Sequence, residues 1–183
     1  LAEGAGVRWD ELPEIAARHG VDETDLRVLV ATAARLWPGI APSFRNALTE
    51  VPLSVPVTDD VRLVGHLDFM AVSGDSARIG DWKTGRKDSD YSHQMKAYGA
   101  LALLDDSSLR EATVTVVWIR DAEIENYTMT RADADAWFAS VRSRVIEWDG
   151  VFYPGPHCGF CPRAHECDAR SAMVRRDAAA LLD

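Results

Sequence analysis

The segment of residues 61–84 constrains the fold most, because it predicts a β-hairpin whose register can be worked out. Two apolar segments with strand character, VRLVGHLDFMAV and ARIGDWKT, flank the short turn cluster SGDS. Strands joined by so short a turn pair in the antiparallel direction. A turn centred between Gly74 and Asp75 places Asp68 of the first strand directly opposite Asp81 of the second. The sequence therefore predicts two facing carboxylates within a pair of apolar strands.

Two opposed carboxylates need a compensating positive charge. Directly opposed side chains in a sheet have Cβ atoms about 4.5–5.5 Å apart, and like charges at that distance are destabilising. A shared proton, a nearby cation or a bound metal ion can offset this repulsion. Lys83 lies two residues beyond Asp81 and so points to the same face of the strand. Mg²⁺ is another candidate, because it binds one or two carboxylates together with water and phosphate oxygens. The alternative is an ordinary solvated ion pair between Asp81 and Lys83.

Two further features accompany the predicted hairpin. Gly65 precedes Asp68 by three residues, and a glycine within a strand lets another part of the chain approach the backbone closely. Gln94 and Tyr98 are four residues apart in the predicted helix that follows, so they are neighbours on one helix face. This polar pair belongs either to the same site or to ordinary helix surface.

The order of the predicted elements indicates an α/β fold with a mixed central sheet flanked by helices. The elements are helices 10–19 and 22–36, a short helical turn near 43–48, strands 50–57, 61–72 and 77–84, helix 89–104, strands 111–119 and 124–130, helix 131–148, and a last helix after a cysteine-rich loop. Pro38, Gly39 and Pro42 are expected to end the second helix. Two prolines in the first strand favour an edge position. We expect one domain over residues 1–183, with a helical part (1–48), a core (49–149) and a cysteine-rich segment (150–183).

The charge of the chain restricts its binding partners. A net charge of −9 over 183 residues argues against a general nucleic-acid binder, which would carry a basic surface. It does not exclude nucleic acid at one site, because a bound divalent ion changes the local charge. No apolar run approaches the roughly 18 residues that span a membrane, so we expect no membrane association. The absence of cysteines outside one cluster fits a reducing cytoplasm.

Three motifs together resemble one known family. GHLDFMAV, then IGDWKTG, then Q-x-x-x-Y on the next helix resemble the PD-(D/E)XK nuclease superfamily, specifically its RecB-like exonuclease branch. The resemblance implies a restriction-endonuclease-like core preceded by helices and followed by a cysteine-rich segment. It implies a Mg²⁺- or Mn²⁺-dependent deoxyribonuclease that acts on single-stranded or unwound DNA ends in recombination and repair, with a bound or fused helicase. The alternative is an inactive nuclease-fold module that serves as a DNA-binding or structural part of a helicase–nuclease complex.

The resemblance also implies a role for each matching residue. Asp68 and Asp81 would bind the metal ion, helped by the backbone carbonyl of Trp82. Lys83 would orient or activate the attacking water. Gln94 would support the site, Tyr98 would contact DNA or the surroundings of Lys83, and Glu50 would be an outer ligand of the metal ion or its water; Glu50 is otherwise a charged strand end.

One motif of this branch is absent from the sequence. Members often carry a metal-binding histidine in a G-x-x-x-H motif on an early helix, and neither His19 nor His66 stands in such a motif. We therefore expect that this motif lies upstream of Leu1 and that the chain is an N-terminally truncated nuclease domain.

All three cysteines lie in the segment HCGFCPRAHEC, as Cys158, Cys161 and Cys167. Thiols at this spacing predict a metal or cluster site. In the RecB-like branch a fourth, upstream cysteine completes a 4Fe–4S iron–sulfur cluster, and this sequence has no such cysteine. Zinc is the rival, with His157 or His165 as the fourth ligand, and three free thiols in a loop are the remaining alternative.

Overall fold

The protein is described here by a computed structural model, which describes residues 7–87 and 90–180. The chain forms two compact units, Leu1–Val145 and Ile146–Asp183. Whether the chain is one domain therefore stays a prediction. The helices are α1 (Leu12–His19), α2 (Glu23–Ile40), α3 (Ser92–Asp105), α4 (Arg131–Ile146) and α5 (Asp168–Ala179). The strands are β1 (Leu48–Pro56), β2 (Arg62–Ser73), β3 (Ser76–Lys83), β4 (Glu111–Trp118) and β5 (Glu123–Thr130).

The five strands form one mixed sheet, in the order β1-β2-β3-β4-β5. Neighbouring strands are antiparallel except β3 and β4, which are parallel. A parallel pair needs a crossover connection, and α3 supplies it. The predicted fold class, an α/β mixed sheet flanked by helices, is confirmed.

Helices cover both faces of this sheet. Val114 and Val116 of β4 pack in a core cluster with buried residues of α3, whereas Val117 packs in a second cluster with Ile40 of α2. Consecutive strand residues point to opposite faces, so α3 and α2 lie on different sides of β4. Cover on both faces explains why all but the first residue of β4 is buried.

The hairpin of β2 and β3 has the predicted register. Phe69 pairs with Gly80 and Met70 with Ile79, and Ser73 pairs with Ser76 across the turn. Gly74 takes a positive φ of 61° in this turn, a conformation that glycine adopts at little steric cost. The register places Asp68 opposite Asp81, one step beyond the last paired residues of the ladder.

The first strand lies at an edge of the sheet, as its prolines predict. Pro52 and Pro56 lack an amide hydrogen, and β1 needs donors on only one side. Glu50 interrupts the ladder between the pairs Thr49–Phe69 and Val51–Leu67, with a positive φ of 51°. It therefore occupies the position opposite Asp68 in a conformation that is uncommon for a residue with a side chain.

The second helix is longer than predicted. It continues through Pro38 to Ile40, whereas the proline was expected to end it near Leu36. Pro38 lies in the last turn, so its missing amide removes one hydrogen bond and only two helical residues follow the proline. Trp37 and Ile40 are packed in the core on this last turn, which favours its helical conformation. The predicted helix start at Ser89 lies outside the described residues, and α3 begins at Ser92.

The second unit consists of a loop, a short 3-10 turn (Pro156–Phe160) and α5. Trp148 and Phe152 of this unit contact each other edge to face at 5.3 Å. Among the helices in the part of the chain that the structure describes, none has the length and apolar character that crossing a membrane would need.

Candidate active site

Asp81 is a buried carboxylate in the middle of the sheet. Its residue is only 2% exposed, and it lies on β3 between the strands β2 and β4. Burial raises the pKa of Asp81 above its usual range; the nearby ammonium of Lys83 lowers it, and the charge of Asp68 raises it further. A buried acid with an elevated pKa beside a lysine is typical of a functional site.

Lys83 makes a short ion-pair contact with this carboxylate. Its Nζ lies 2.7 Å from Oδ2 of Asp81, and its side chain is 16% exposed. Among the described residues, however, the same buried Oδ2 accepts no hydrogen bond of good geometry. The contact between Nζ and Oδ2 is thus an electrostatic attraction in which the N–H groups are poorly aligned with the oxygen. Oδ2 therefore has a cationic neighbour but still lacks a directed donor, which leaves it able to bind a further cation.

Asp68 lies beside this pair, at the open end of the β2–β3 hairpin. Its Oδ2 accepts a hydrogen bond of 2.7 Å from the backbone amide of Trp82. The side chain of Asp68 thus occupies the point at which the β2–β3 ladder ends. The negative charge of Asp68 raises the pKa of both Asp81 and Tyr98. The three side chains are therefore close enough to interact electrostatically.

The predicted pair on α3 lies against the same group. Gln94 Nε2 donates a 2.7 Å hydrogen bond to the hydroxyl of Tyr98. Burial raises the pKa of Tyr98, and the charges of Asp81 and Asp68 raise it further against the opposing effect of the Gln94 hydrogen bond. The Tyr98 hydroxyl therefore stays protonated over the ordinary pH range and can donate its own hydrogen to another acceptor.

Gly65 explains how α3 comes so close to the strands. A Cβ atom at Gly65 would lie 2.7 Å from Leu101 Cδ1 and 3.4 Å from the ring of Tyr98. The absence of a side chain at this position lets the helix settle on β2. The expectation that this glycine permits a close approach is confirmed.

Glu50 is exposed, in contrast to the buried Asp81. The register places it opposite Asp68 on the neighbouring strand. Within residues 7–87 and 90–180, no three His, Cys, Asp or Glu side chains gather into a group that could hold a metal ion. Glu50 therefore does not complete a three-carboxylate group with Asp68 and Asp81 in this conformation.

Two carboxylates and one carbonyl nevertheless suit a hard divalent cation. Mg²⁺ and Mn²⁺ prefer oxygen ligands, and Mg²⁺ often takes only one or two protein carboxylates beside water and substrate phosphates. The buried Oδ2 of Asp81 without a directed donor fits such an ion. Asp68, Asp81 and the carbonyl of Trp82 are thus candidates for holding it.

The sequence alone did not point to an aromatic residue beneath Lys83. Lys83 Nζ lies 5.0 Å from the centre of the Tyr91 ring, and Tyr91 contacts Trp118 edge to face at 5.2 Å. Tyr91 directly precedes α3, and Trp118 pairs with Lys83 in the parallel ladder. The only sequence signal for this role of Tyr91 was its position near the start of the predicted helix. Aromatic residues are too common at such positions for this to identify a functional residue.

The loop after Lys83 is held to the β4–β5 turn. Arg120 Nε donates to the carbonyl of Thr84 at 2.7 Å, while its other nitrogens bind both carboxylate oxygens of Asp25 on α2. The backbone amide of Lys87 donates to Asp121 at 2.8 Å. The segment that follows Lys83 is therefore fixed at two points.

The three cysteines are not assembled into a site in the described structure. Cys158 and Cys167 are partly buried, Cys161 is exposed, and all three are free thiols. The amide of Gly155 donates to Cys158 Sγ at 3.4 Å. A 4Fe–4S cluster normally takes four thiolates, and this sequence has three cysteines, so the residues present do not fit it.

Comparisons with known proteins identify the family. No curated protein matches the chain significantly. The solved structure of SSO0001 is similar at 16% sequence identity and a TM-score of 0.48, over 88% of this chain and 76% of that one. The model of the PD-(D/E)XK nuclease superfamily matches residues 4–168, which include every residue of the hairpin and of α3 described above. The chain therefore belongs to the PD-(D/E)XK nuclease superfamily.

Proposed function

We propose that the chain is a metal-dependent deoxyribonuclease of the RecB-like exonuclease branch, acting in DNA recombination and repair. Members of its superfamily are generally metal-dependent nucleases. The observation that carries the proposal is the buried Asp81 carboxylate, with Lys83 at 2.7 Å and the charge of Asp68 beside it. A structural ion pair would not need a second carboxylate that raises the pKa of the first.

The reaction is hydrolysis of a phosphodiester: water attacks phosphorus, a phosphorus–oxygen bond breaks, and the released sugar oxygen takes up a proton. A divalent ion held by Asp68, Asp81 and the Trp82 carbonyl would acidify the water and stabilise the added negative charge. Lys83 Nζ donates hydrogen bonds to the attacking water or to a non-bridging phosphate oxygen. Its low exposure excludes competing water and strengthens this interaction.

The α3 pair contacts the substrate in this proposal. Because Gln94 already donates to the Tyr98 hydroxyl, the hydrogen of that hydroxyl is directed to another acceptor. A phosphate oxygen of the DNA strand is an acceptor of suitable charge. Gln94 therefore orients Tyr98, and Tyr98 holds the strand. Glu50 is proposed as an outer ligand that approaches only when substrate and metal ion are present.

Single-stranded or unwound DNA ends are the proposed substrate, supplied by a helicase partner or a fused helicase. An acidic chain with a net charge of −9 binds DNA weakly by itself, so a partner that presents the strand would supply the affinity. The grouping of every cysteine in one segment supports a reducing, cytoplasmic setting.

A second candidate function is an inactive nuclease-fold module that binds DNA or has a structural role in a helicase–nuclease complex. The lack of a third metal-binding side chain beside Asp68 and Asp81 in the described residues favours it. The presence of Asp68, Asp81 and Lys83 together favours the active enzyme.

The deciding experiment is a cleavage assay on end-labelled single-stranded DNA with Mn²⁺, with Mg²⁺ and with EDTA. We expect metal-dependent cutting that falls about 10²–10³-fold in Lys83→Ala and in Asp81→Ala, the range for removing a group that stabilises developing charge. Lys96→Ala removes the same charge from an exposed position of α3 and serves as the matched control. Single nucleotides as the first products would establish the exonuclease mode. A folded chain that binds DNA but does not cut would support the inactive module.

Metal binding at the cysteine segment is a separate proposal. Zinc held by Cys158, Cys161, Cys167 and one histidine requires that the loop close around the ion. Elemental analysis of the purified chain tests it: about one zinc per chain, lost in Cys161→Ser, would establish a zinc site. A chain without zinc would leave the thiols free.

A further inference from the structure

We infer that Tyr91 is a positioning residue, which holds the Lys83 ammonium at the site independently of its contact with Asp81. The ring centre lies 5.0 Å from Lys83 Nζ, which is within the range of a cation–π interaction. The catalytic part of this inference rests on the proposed function, whereas the position of Lys83 in the free protein does not.

Lys83 needs a second partner because its first one is shared. Its Nζ contacts Oδ2 of Asp81, the same oxygen that lacks a directed hydrogen bond and that suits a divalent cation. Any cation that binds this oxygen competes with the ammonium for it. Lysine has a flexible four-carbon stem, so without another contact the ammonium would leave the site when Asp81 is occupied. The face of an aromatic ring attracts the ammonium. A divalent cation that prefers oxygen ligands does not compete for the ring.

The ring of Tyr91 is itself held firmly. Its backbone carbonyl accepts the amide of Met95 at 3.0 Å in the first turn of α3. Its ring packs against Trp118 at an interplanar angle of 68°, and Trp118 is 2% exposed. Because Trp118 and Lys83 are register partners on adjacent parallel strands, the indole supports Tyr91 from directly beside the lysine.

The support continues to the edge strand β5. Trp118 Nε1 donates to Glu125 Oε2 at 3.0 Å, and Lys87 Nζ lies 2.6 Å from the other oxygen of the same carboxylate. The hydrogen bond from Lys87, followed by that from Trp118, lowers the pKa of Glu125, so the carboxylate stays charged and keeps both contacts. Lys87 also belongs to the loop that connects Lys83 to α3. The carboxylate of Glu125 thus binds both the loop, through Lys87, and the indole of Trp118.

Nuclear magnetic resonance tests the position of Lys83 without any assay of activity. The ring current of Tyr91 shifts the Lys83 Hε resonances upfield, and Lys83→Arg identifies them by their disappearance. We expect the upfield shift to persist when Mg²⁺ is added to the wild type. It should remain in Tyr91→Phe and be lost in Tyr91→Leu, with Tyr91→Met as a second variant if the first does not fold. Tyr153→Leu, at an exposed tyrosine, is the control. An unchanged shift in the folded Leu or Met variant, or its loss in wild type on adding Mg²⁺, would overturn the inference.

Kinetics then test the catalytic consequence. We expect Tyr91→Leu to lower kcat about five- to tenfold, the equivalent of roughly 1 kcal/mol, with little change in KM, and Tyr91→Phe to restore the rate. A loss of the upfield shift with an unchanged kcat would show that the ring contacts Lys83 without positioning it. A wild type that does not cut would contradict the proposed function, while the resonances of Lys83 with Mg²⁺ would still decide the position of the ammonium.

Discussion

At the scale of single residues, Asp81 links the site to stability. Its pKa is raised in the folded protein, chiefly by burial. The folded state therefore binds more protons than the unfolded state between the ordinary value of 3.8 and the raised pKa. In that pH window the free energy of unfolding should fall as pH rises, by up to about 1.4 kcal/mol for each unit of the shift, and then level off.

We expect Asp81→Asn to remove this pH dependence. Chemical denaturation of both proteins at a series of pH values, in EDTA so that no metal ion binds, measures the difference directly. Asp59→Asn, the same change at an exposed turn, should leave the slope as in the wild type. Parallel pH curves for the wild type and Asp81→Asn would mean that the carboxylate is not buried as the structure has it.

Most residues of the candidate site could be predicted from sequence because their geometry is local. The alternation of a strand places Lys83 on the side of Asp81, and the spacing of a helix pairs Gln94 with Tyr98. Tyr91 could not be predicted in this way, because its contacts with Lys83 and Trp118 depend on how the crossover helix returns to the sheet. Such long-range packing leaves no periodic signal in the chain. The catalytic roles of these residues stay predictions until cleavage is measured.

At the scale of elements, the register of the hairpin followed from its turn. A turn at Gly74 fixes every pair from Ser73–Ser76 to Phe69–Gly80, since register in a tight hairpin is set by the turn. The end of α2 did not follow in the same way. Pro38 is a strong local signal, but the burial of Ile40 in the second core cluster outweighs it. Local sequence rules predicted the hairpin register, which depends on local contacts. They failed at the end of α2, where packing against residues distant in sequence determines the conformation.

That second cluster leads to a prediction about Gly80. A Cβ atom at Gly80 would lie 1.9 Å from the Phe69 ring, which is packed between Trp37, Phe44 and Trp82. The Phe69 ring can give way only by disturbing its packing against these three aromatic residues, so Gly80→Ala should destabilise the protein by about 1–3 kcal/mol or more. Thermal and urea unfolding measure this change.

Gly39→Ala is the matched control for that substitution. A Cβ atom there meets nothing within 4 Å, and Gly39 lies within α2, where alanine is favoured over glycine by about 0.5–1 kcal/mol. The control should therefore be neutral or slightly stabilising. Similar losses in both variants would show that the cost comes from the backbone and not from the aromatic cluster.

At the scale of the whole molecule, the acidity of the chain determines how it can meet DNA. Each phosphate contacted by a lysine or arginine releases a counterion, which makes binding depend steeply on salt. With 29 acidic and 20 basic residues, the net negative charge of the chain repels a polyanion at long range. Of the three lysines, Lys83 contacts Asp81, and Lys87 lies between Glu123 and Glu125.

We therefore predict weak DNA binding with a shallow salt dependence, strengthened by Mg²⁺ at constant ionic strength. Fluorescence anisotropy of labelled single-stranded DNA with the Lys83→Ala variant, which should bind without cutting, gives the slope of log Kd against log salt concentration. Few phosphate contacts predict a slope of about one to three. Asp81→Ala should lose the gain from Mg²⁺, because that gain comes from an ion neutralising the carboxylates next to the strand. A steep slope that does not change with Mg²⁺ would instead mean that a basic surface elsewhere on the chain binds the DNA, and the site around Asp81 would not be where the strand lies.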